Sequence, residues 1–392
     1  MKMLSIETSA DETSLSVVDI KGDFPEATCE VLGDALHSQA KLHSEYGGIF
    51  PAMAKREHAK AIVPLLQMAL EEAELTEEGN HDLTPKETEE LYETLVREPD
   101  LADTLLKFLE THDKPELDVI AVTSGPGLEP ALWVGVNFAK ALASVWNIPI
   151  VAVNHMEGHI LASIYDVEEE NQLSDLKFPT IALLVSGGHT ELVLMDGWGK
   201  YEKVGQTRDD AVGEAFDKVA RMLGLPYPGG PEIGRLAKIA RASKLTPYAE
   251  LPKPMLHSGD LDFSFSGIKT AVRYTIADKE LTETDKEALA RDFEDATSEV
   301  LVKKTLAAVE QYGAKSIVVG GGVSASQHLR QELNKAALEA FPDVTVYFPK
   351  PGLSTDNSIM IALAGHARLA SASNAAAAKY LKADGNKSLD AE

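Results

Sequence analysis

Residues 3–19 have the sequence MLSIETSADETSLSVVD, in which apolar and polar residues alternate on both sides of a short polar turn. Alternation with a period of two predicts two strands that each bury one face, joined as a β-hairpin. The pattern recurs as Ile181–Val185, the turn Ser186-Gly187-Gly188-His189-Thr190, and Leu192–Met195. Two such hairpins predict a duplicated α/β lobe with a cleft between the copies, where the turns offer backbone N–H groups to a phosphate.

The rest of the chain alternates between apolar strand patterns and amphipathic helix patterns, which favours mixed sheets flanked by helices. Further strands are predicted at Val119–Thr123, Ile148–Val153, Ser316–Val319 and Val344–Phe348. Helices are predicted at Ala54–Glu74, Leu132–Trp146, Glu214–Leu223, Asp285–Tyr312, Ser326–Ala340 and Ile359–Leu369. The polar tail from Ser371 is expected to fray.

Size and composition favour a cytoplasmic protein of two domains. The chain has 392 residues, and this length exceeds what one hydrophobic core usually organises. Its hydrophobic residues make up 44% of the sequence. Its single cysteine, Cys29, excludes an internal disulfide and suits a reducing compartment. We expect neither a signal peptide nor a membrane span, because charged residues follow Ile6 at once and glycine, proline and charged residues interrupt the apolar stretch Val119–Val153.

The formal net charge of -25 excludes broad electrostatic capture of nucleic acid, so an RNA substrate needs a local basic patch or a partner. Much of the excess lies in residues 71–113, with 15 acidic residues against Lys86, Arg97 and Lys107. This segment is predicted to be a solvated surface insertion with two short helices, Pro85–Leu95 and Pro99–Glu110, that carry few apolar residues.

The segment His155-Met156-Glu157-Gly158-His159 places two imidazoles four residues apart after an apolar strand. On a helix these rings lie one turn apart on the same face, and Asn154 with Glu157 predicts an N-cap and capping box at its start. Glu157 lies about 200° around the helix from both rings, which disfavours peptidase chemistry of the H-E-x-x-H type. The pair can hold a metal, or the two histidines can make ordinary hydrogen bonds.

Other candidate residues have both a structural and a functional interpretation. Asp356 can cap the helix that follows it or complete a two-histidine, one-carboxylate site suited to iron or zinc. Asp217 can pair with Arg221 on a helix surface or accept both hydroxyls of a ribose. Two glycine-containing segments follow predicted strands, Gly320-Gly321-Gly322 and Gly125-Pro126-Gly127. Each can be a tight turn or a loop that lets a nucleotide approach the backbone.

With these residues in place, the chain resembles the tRNA N6-adenosine threonylcarbamoyltransferases, the TsaD family once labelled O-sialoglycoprotein endopeptidases. The motifs that carry the resemblance are I-E-T-S-x-D-E-T (6–13), H-S-Q (37–39), Y-G-G-I-x-P (46–51), G-P-G-L (125–128), V-N-H-M-E-G-H (153–159), L-V-S-G-G-H-T (184–190), G-E-A-F-D-K (213–218), Y-P-G-G-P (227–231), F-S-F-S-G-x-K-T (263–270), G-G-V-S-A (321–325) and S-T-D-N (354–357).

The resemblance implies a two-lobed fold like actin, Hsp70 and sugar kinases (ASKHA), with duplicated RNase-H-like lobes and the acidic insertion at about 76–114. We predict an N-terminal lobe of residues 1–154, a C-terminal lobe of residues 155–356, and a C-terminal helix at 357–392 that packs back on the first lobe.

The resemblance also implies a reaction and a set of site residues. The threonylcarbamoyl group of threonylcarbamoyl-AMP passes to N6 of adenosine 37, in tRNAs reading codons that start with A, and AMP leaves. The implied metal ligands are His155, His159 and Asp356. They would hold one divalent ion, with Fe²⁺ preferred and Zn²⁺ as the alternative. The implied nucleotide-binding residues are Leu184, Val185, Ser186, Gly187, Gly188, Asp217, Gly230 and Ser326.

Asp11 and Glu12, on the first hairpin, are the candidates for steering the amine or taking its proton; turn hydrogen bonding is their other interpretation. In a bacterium, the resemblance implies a paralogous TsaB-like subunit and a small TsaE-like ATPase as partners. The chain departs from the family at Ser326, where asparagine is usual, and at Ala10, where cysteine is usual. The insertion also lengthens a normally brief stretch.

Two other functions stay open. A kinase or ATPase of the same fold would hold ATP and magnesium, but magnesium rarely takes imidazole ligands. A non-catalytic paralogue would not need to retain all three metal ligands.

Overall fold

The computed structural model describes residues 1–166 and 171–391. Residues 167–170 of the predicted second lobe and residue 392 of the predicted C-terminal segment lie outside the described residues. The chain divides into two compact units. Unit 1 comprises Met1–Ala40, Ile49–Ser174 and Asp356–Ala391, and unit 2 comprises Lys41–Gly48 and Asp175–Thr355.

The strands of the described ranges are β1 (Lys2–Glu7), β2 (Glu12–Lys21), β3 (Thr28–Ser38), β4 (Val119–Gly125), β5 (Ile150–Asn154), β6 (Tyr165–Asp166), β7 (Gln172–Leu173), β8 (Thr180–Val185), β9 (Thr190–Gly197), β10 (Lys200–Gln206), β11 (Ser316–Gly320) and β12 (Thr345–Tyr347).

The helices of the same ranges are α1 (Ala40–Ser44), α2 (Pro51–Glu72), α3 (Pro85–Thr94), α4 (Pro99–Thr111), α5 (Glu129–Trp146), α6 (His155–Ile164), α7 (Val212–Met222), α8 (Gly229–Ala242), α9 (Ser266–Ile276), α10 (Glu283–Tyr312), α11 (Gln327–Ala340), α12 (Ser358–Ala367) and α13 (Ala375–Ala378). Short 3₁₀ turns occur at Gly322–Ala325, Leu369–Ser371 and Leu389–Ala391.

Each unit contains a sheet built on one plan, which confirms the predicted duplication. Among the described residues, unit 1 has the strand order β3-β2-β1-β4-β5 and unit 2 has β10-β9-β8-β11-β12. In both sheets the first three strands are antiparallel, and the last two run parallel to the strand that opens the hairpin. Both predicted hairpins, β1–β2 and β8–β9, are therefore confirmed.

Helix α12 lies across the unit 1 sheet and contacts all five of its strands, β1 to β5. The close approach depends on Gly365, because a Cβ there would lie 2.6 Å from the Cβ of Ala121 on β4. Asp356 directly precedes α12, so the packing of α12 fixes the distance of Asp356 from the sheet. In unit 2, α10 packs against α8 and α11, beginning at a capping box on Thr282 and ending at Gly313 in the left-handed region.

The acidic insertion contains the two predicted helices, as α3 and α4, but the predicted solvated excursion is wrong. Its apolar side chains are buried in the unit 1 core: Leu91, Leu95, Leu101, Ala102, Leu105, Phe108 and Leu109. These residues recur at helical spacing, so they fall on one face of each helix, while acidic residues such as Glu89, Glu93 and Asp103 face solvent.

The tail is also more ordered than expected. Ala378, Ala383 and Leu389 are buried, and the backbone N–H of Asp384 donates to the carbonyl of Ser124 over 2.8 Å. The segment after Asp356 is not one helix, because α12 ends at Ala367 and α13 is a separate short helix.

The boundary between the units falls after Ser174 rather than after Asn154, because α6 packs against α12 of unit 1. Residues 41–48 belong to unit 2. In the ranges that the structure describes, no helix combines the length and the apolar character needed to cross a membrane.

Candidate metal centre

Two imidazoles lie side by side at the start of α6, directly after β5. Asn154 begins the helix as the predicted N-cap, with its side chain accepting a hydrogen bond from the N–H of Met156 over 2.9 Å. The rings of His155 and His159 are 4.7 Å apart between centroids and nearly perpendicular, and both side chains are buried. The four-residue spacing thus brings both rings to one face, as predicted.

Glu157 does not complete the predicted capping box. Its buried carboxylate instead accepts from Nε of Arg368, at 2.8 and 3.1 Å, just after α12 ends. An ion pair with arginine is stronger than one hydrogen bond from the N-cap N–H. The carboxylate therefore lies on the side of the helix away from the histidines. The contact also ties α6 to the C-terminal end of α12.

Asp356 supplies the third candidate ligand. Its Oδ1 lies 3.4 Å from Nε2 of His155 and 3.1 Å from Nε2 of His159. The helix that follows is capped by Asn357, whose side chain accepts from the N–H of Met360, so Asp356 is not used as the cap. One ligand atom from each of the three residues lies within 4.8 Å of the other two.

This donor set fits a divalent cation. Among the described residues, neither ring nitrogen of His159 has a hydrogen-bond partner, because its approach to Asp356 lacks hydrogen-bond direction. A buried imidazole without a partner is costly, and a cation would satisfy its lone pair. Two imidazoles and one carboxylate suit Zn²⁺ or Fe²⁺ and leave coordination positions open.

The charges of these three side chains act strongly on one another. Burial acts to lower the pKa of His155, but the carboxylates of Asp356 and Glu7 hold that pKa well above its usual value. Burial lowers the pKa of His159. Burial would raise the pKa of Asp356, yet the two histidines hold it far below its usual range, so this ligand is ionised at neutral pH.

Behind His155 lies a carboxylate that no pattern in the sequence singles out. Glu7 is the last residue of β1 and is fully buried. Its Oε2 lies 3.1 Å from Nδ1 of His155 and accepts from the hydroxyl of Thr123 over 2.5 Å, while Oε1 accepts from the N–H of Ser9 over 2.5 Å. The only signal in the sequence is a glutamate at an inward position of an apolar strand.

Asp11 and Glu12 lie in unit 1 with the trio, where β2 begins. Asp11 is 8% exposed, and Glu12 accepts from the hydroxyl of Ser38 over 3.0 Å. Burial, followed by the charges of Asp11 and Asp356, raises the pKa of Glu12 to about 10. Glu12 therefore holds a proton at neutral pH.

The predicted nucleotide-binding residues lie in unit 2, where three glycine-containing loops meet. Leu184 and Val185 end β8, and Ser186, Gly187 and Gly188 form the turn into β9. A Cβ on Gly213, at the start of α7, would lie 2.5 Å from the carbonyl oxygen of Ser186, and one on Gly321 would lie 2.4 Å from that of Val185. Small residues are thus required for these loops to touch.

Asp217 on α7 accepts from the N–H of Gly229 over 2.7 Å, which ties α7 to the start of α8. Within the described ranges, a Cβ on Gly187, Gly188 or Gly230 would meet no atom within 4 Å. The backbone at these three glycines is therefore open to an approaching ligand.

Ser326 has a structural task that its position in the motif did not predict. Its side chain caps α11 by accepting from the N–H of Leu329 over 3.2 Å, and it lies 3.4 Å from Oε1 of Glu294. Contact of Ser326 with a nucleotide stays a prediction.

The repeated sheets place the chain in the class of α/β proteins that includes actin, Hsp70 and the sugar kinases. A family model described as tRNA N6-adenosine threonylcarbamoyltransferase, TsaD, matches residues 30–81 and 95–363. The chain belongs to this family of transferases.

Curated relatives that bear the same description cover almost the whole chain. The Chromobacterium violaceum protein is 44% identical over 94% of this chain and 93% of its own length. The Burkholderia ambifaria protein is 43% identical over 94% and 92%, and the Variovorax paradoxus protein is 42% identical over 97% and 94%. Among solved structures, T. kodakarensis HypF aligns with a TM-score of 0.47 and 14% identity over 70% of this chain and 43% of that chain, a likeness too weak to bear on function.

Proposed function

We propose that this chain transfers the threonylcarbamoyl group of threonylcarbamoyl-AMP to N6 of adenosine 37, in tRNAs that read codons starting with A, with release of AMP. The observation that carries the proposal is the convergence of His155, His159 and Asp356 within unit 1 of a chain that belongs to this transferase family. The reaction is acyl transfer from a mixed anhydride to a weakly nucleophilic aromatic amine.

Three ligands hold the proposed cation, Fe²⁺ by preference and Zn²⁺ as the alternative. When bound, the metal supplies a Lewis acid for phosphate or carbonyl oxygens of the donor. The carboxylate of Asp356 and the neutral imidazoles of His155 and His159 bind it. Peptidase chemistry is not supported, because Glu157 is committed to Arg368.

The adenylate is proposed to lie on the unit 2 loops. Backbone N–H groups at Ser186, Gly187 and Gly188 would donate to its phosphate, with Leu184 and Val185 holding the turn in place. Asp217 would accept from the ribose hydroxyls beside Gly230, and Ser326 would contribute a hydroxyl. The open backbone at the three glycines supports this assignment.

Asp11 and Glu12 are proposed to manage the proton of the attacking amine. Glu12 holds its proton at neutral pH, so it orients the neighbouring carboxylate by donating to it. The Asp11 carboxylate then takes the proton that the amine loses as the new N–C bond forms.

A strongly acidic chain needs help to hold tRNA. We propose that a TsaB-like paralogue and a small TsaE-like ATPase act with it in the cytoplasm, supplying positive surface and turnover respectively. The net charge of -25 supports the need for a partner.

The test combines the chain and both partners with threonylcarbamoyl-AMP and tRNA, with and without a chelator, and measures modified adenosine by mass spectrometry of the nucleosides. We expect product that the chelator abolishes. The variant His155→Ala should lose both bound metal and product. As a matched control, His366→Gln alters another buried histidine of unit 1 and should retain both. No product from the complete mixture would refute the proposal.

A further inference from the structure

Glu7 is a buried carboxyl group that needs an explanation. Its side chain is fully removed from solvent, and an ionised carboxylate in such a place is stable only when donors surround it. Two donors are fixed by the fold: the backbone N–H of Ser9 on Oε1 and the hydroxyl of Thr123 on Oε2. The third contact is Nδ1 of His155, 3.1 Å from Oε2.

An ionised carboxylate only accepts hydrogen bonds, so this contact decides which nitrogen of His155 carries the proton. Nδ1 must be the donor, and the lone pair of the neutral ring then lies on Nε2. Nε2 is the atom that faces Asp356, at 3.4 Å. Ser9 Oγ also lies 3.2 Å from Nδ1, but a hydroxyl can donate or accept and therefore fits either tautomer.

We infer that Glu7 is a positioning residue that fixes the tautomer and the ring orientation of His155, so that Nε2 binds the cation. The inference rests on the metal site of the proposed function. It explains why a glutamate, rather than an apolar residue, stands at the buried end of β1. A carboxylate behind a metal-binding histidine raises its basicity as a ligand and restricts its rotation.

The variant Glu7→Gln makes a sharp test because the fold dictates how the amide sits. The N–H of Ser9 requires an oxygen at the position of Oε1, which places the amide NH₂ at the position of Oε2. That NH₂ donates to Nδ1 of His155, and the ring proton moves to Nε2, where it blocks coordination. From the usual cost of altering such a partner, we expect Zn²⁺ affinity to fall about 10–100-fold.

The measurement is Zn²⁺ affinity of the full chain by competition with a chromophoric chelator. Glu98→Gln is the matched control, because Glu98 is another buried carboxylate of unit 1, paired with Lys55 and outside the metal trio. It should bind Zn²⁺ as tightly as the parent, and Ser9→Ala should bind nearly as tightly. Unchanged affinity in Glu7→Gln would overturn the inference, as would a loss in Ser9→Ala that equals the loss in Glu7→Gln.

The variant His155→Ala separates the two levels of the hypothesis. If it binds Zn²⁺ like the parent, the metal site itself is wrong; if it loses Zn²⁺ while Glu7→Gln does not, only the role of Glu7 is wrong. Should Glu7→Gln fail to fold, ¹H–¹⁵N spectra of the unmodified Zn²⁺-loaded protein, labelled at histidine, decide the matter. We expect a proton on Nδ1 of His155 and coordination through Nε2, and the reverse assignment would contradict the inference.

Discussion

At the scale of single residues, the two histidines of α6 have different chemical environments although they lie one turn apart. His155 lies between two carboxylates, Glu7 and Asp356, whereas His159 is buried with neither ring nitrogen hydrogen-bonded among the described residues. These environments shift the two pKa values in opposite directions. Burial acts to lower the pKa of His155, but the carboxylates raise it, whereas burial lowers the pKa of His159. Without a cation, the two carboxylates therefore favour the doubly protonated form of His155.

This difference predicts how metal affinity depends on pH. The proton on His155 competes with the cation, because only the neutral ring can coordinate. Since its pKa is raised, the competition extends through neutral pH, and apparent Zn²⁺ affinity should rise about tenfold per pH unit between pH 6 and 7 for one displaced proton. Chelator competition at fixed ionic strength measures this slope. A flat profile would show that His155 is already neutral and would contradict the stated pKa shift.

The trio could be predicted from the sequence, while its supports could not. Helical spacing indicates His155 and His159, and Asp356 is the candidate carboxylate that completes a two-histidine, one-carboxylate site, as the family resemblance also implies. Glu7 is a single carboxylate in an apolar strand, and nothing local indicates its partner 148 residues away. His58 was missed for the same reason: its ring contacts the Thr13 hydroxyl at 2.7 Å and the Ala10 carbonyl at 3.1 Å, bracketing Asp11 and Glu12.

At the scale of secondary-structure elements, composition misled where periodicity would have been informative. The insertion is acidic, yet its sparse apolar residues lie one turn apart, for example Leu91 with Leu95 and Leu101 with Leu105. Strands β3 and β10 are not predicted from the sequence, because polar residues and glycine interrupt the alternation of apolar and polar residues. These strands form because they pair with β2 and β9.

The insertion should accordingly contribute to global stability. Phe108→Ala removes an aromatic ring that is 6% exposed in the unit 1 core, and we expect a loss of about 3–5 kcal/mol in the free energy of unfolding. Denaturant unfolding monitored by circular dichroism measures it. Val96→Ala is the control, since Val96 lies in the same insertion and is 72% exposed. Equal, small effects of both substitutions would mean that the insertion is an independent surface segment.

Helix α12 links core packing to Asp356, the candidate metal ligand that precedes it. In Gly365→Ala the new methyl group would lie 2.6 Å from the Cβ of Ala121, so the helix must move away from the sheet. We expect a loss of about 1–3 kcal/mol in stability, together with weaker Zn²⁺ binding as Asp356 shifts. The control is Gly234→Ala on α8, where the added Cβ makes an ordinary 3.5 Å contact. In this variant stability should not fall and Zn²⁺ affinity should not change. Parent-like Zn²⁺ affinity in the destabilised variant would show that Asp356 is held independently of α12.

At the scale of the whole molecule, the negative charge is distributed unevenly between the two units. Residues 41–48 and 175–355 of unit 2 contain 23 basic and 26 acidic residues, whereas the three segments of unit 1 contain 14 and 35. The excess could be counted from the sequence, but its assignment to one unit required the structure, because the units are built from interleaved segments. A polyanion is therefore repelled chiefly by unit 1.

We predict that tRNA approaches through unit 2, and two sets of matched charge-neutralising variants test this. One replaces three exposed acidic residues of the insertion, Glu77, Glu89 and Glu93, by glutamine, and the other replaces Glu250, Glu280 and Glu332 of unit 2. A charge about 10 Å from a phosphate costs about 0.4 kcal/mol in water, so each nearby replacement should strengthen binding about twofold at low salt.

The expected result is a larger gain in tRNA affinity for the unit 2 set than for the insertion set, measured by filter binding with the partner proteins present. Screening at about 1 M salt, where the Debye length falls to about 3 Å, should remove the difference. A larger gain from the insertion set would place tRNA against unit 1. Equal gains would mean that net charge alone governs the encounter, since a long-range field acts on the polyanion wherever the neutralised residues lie.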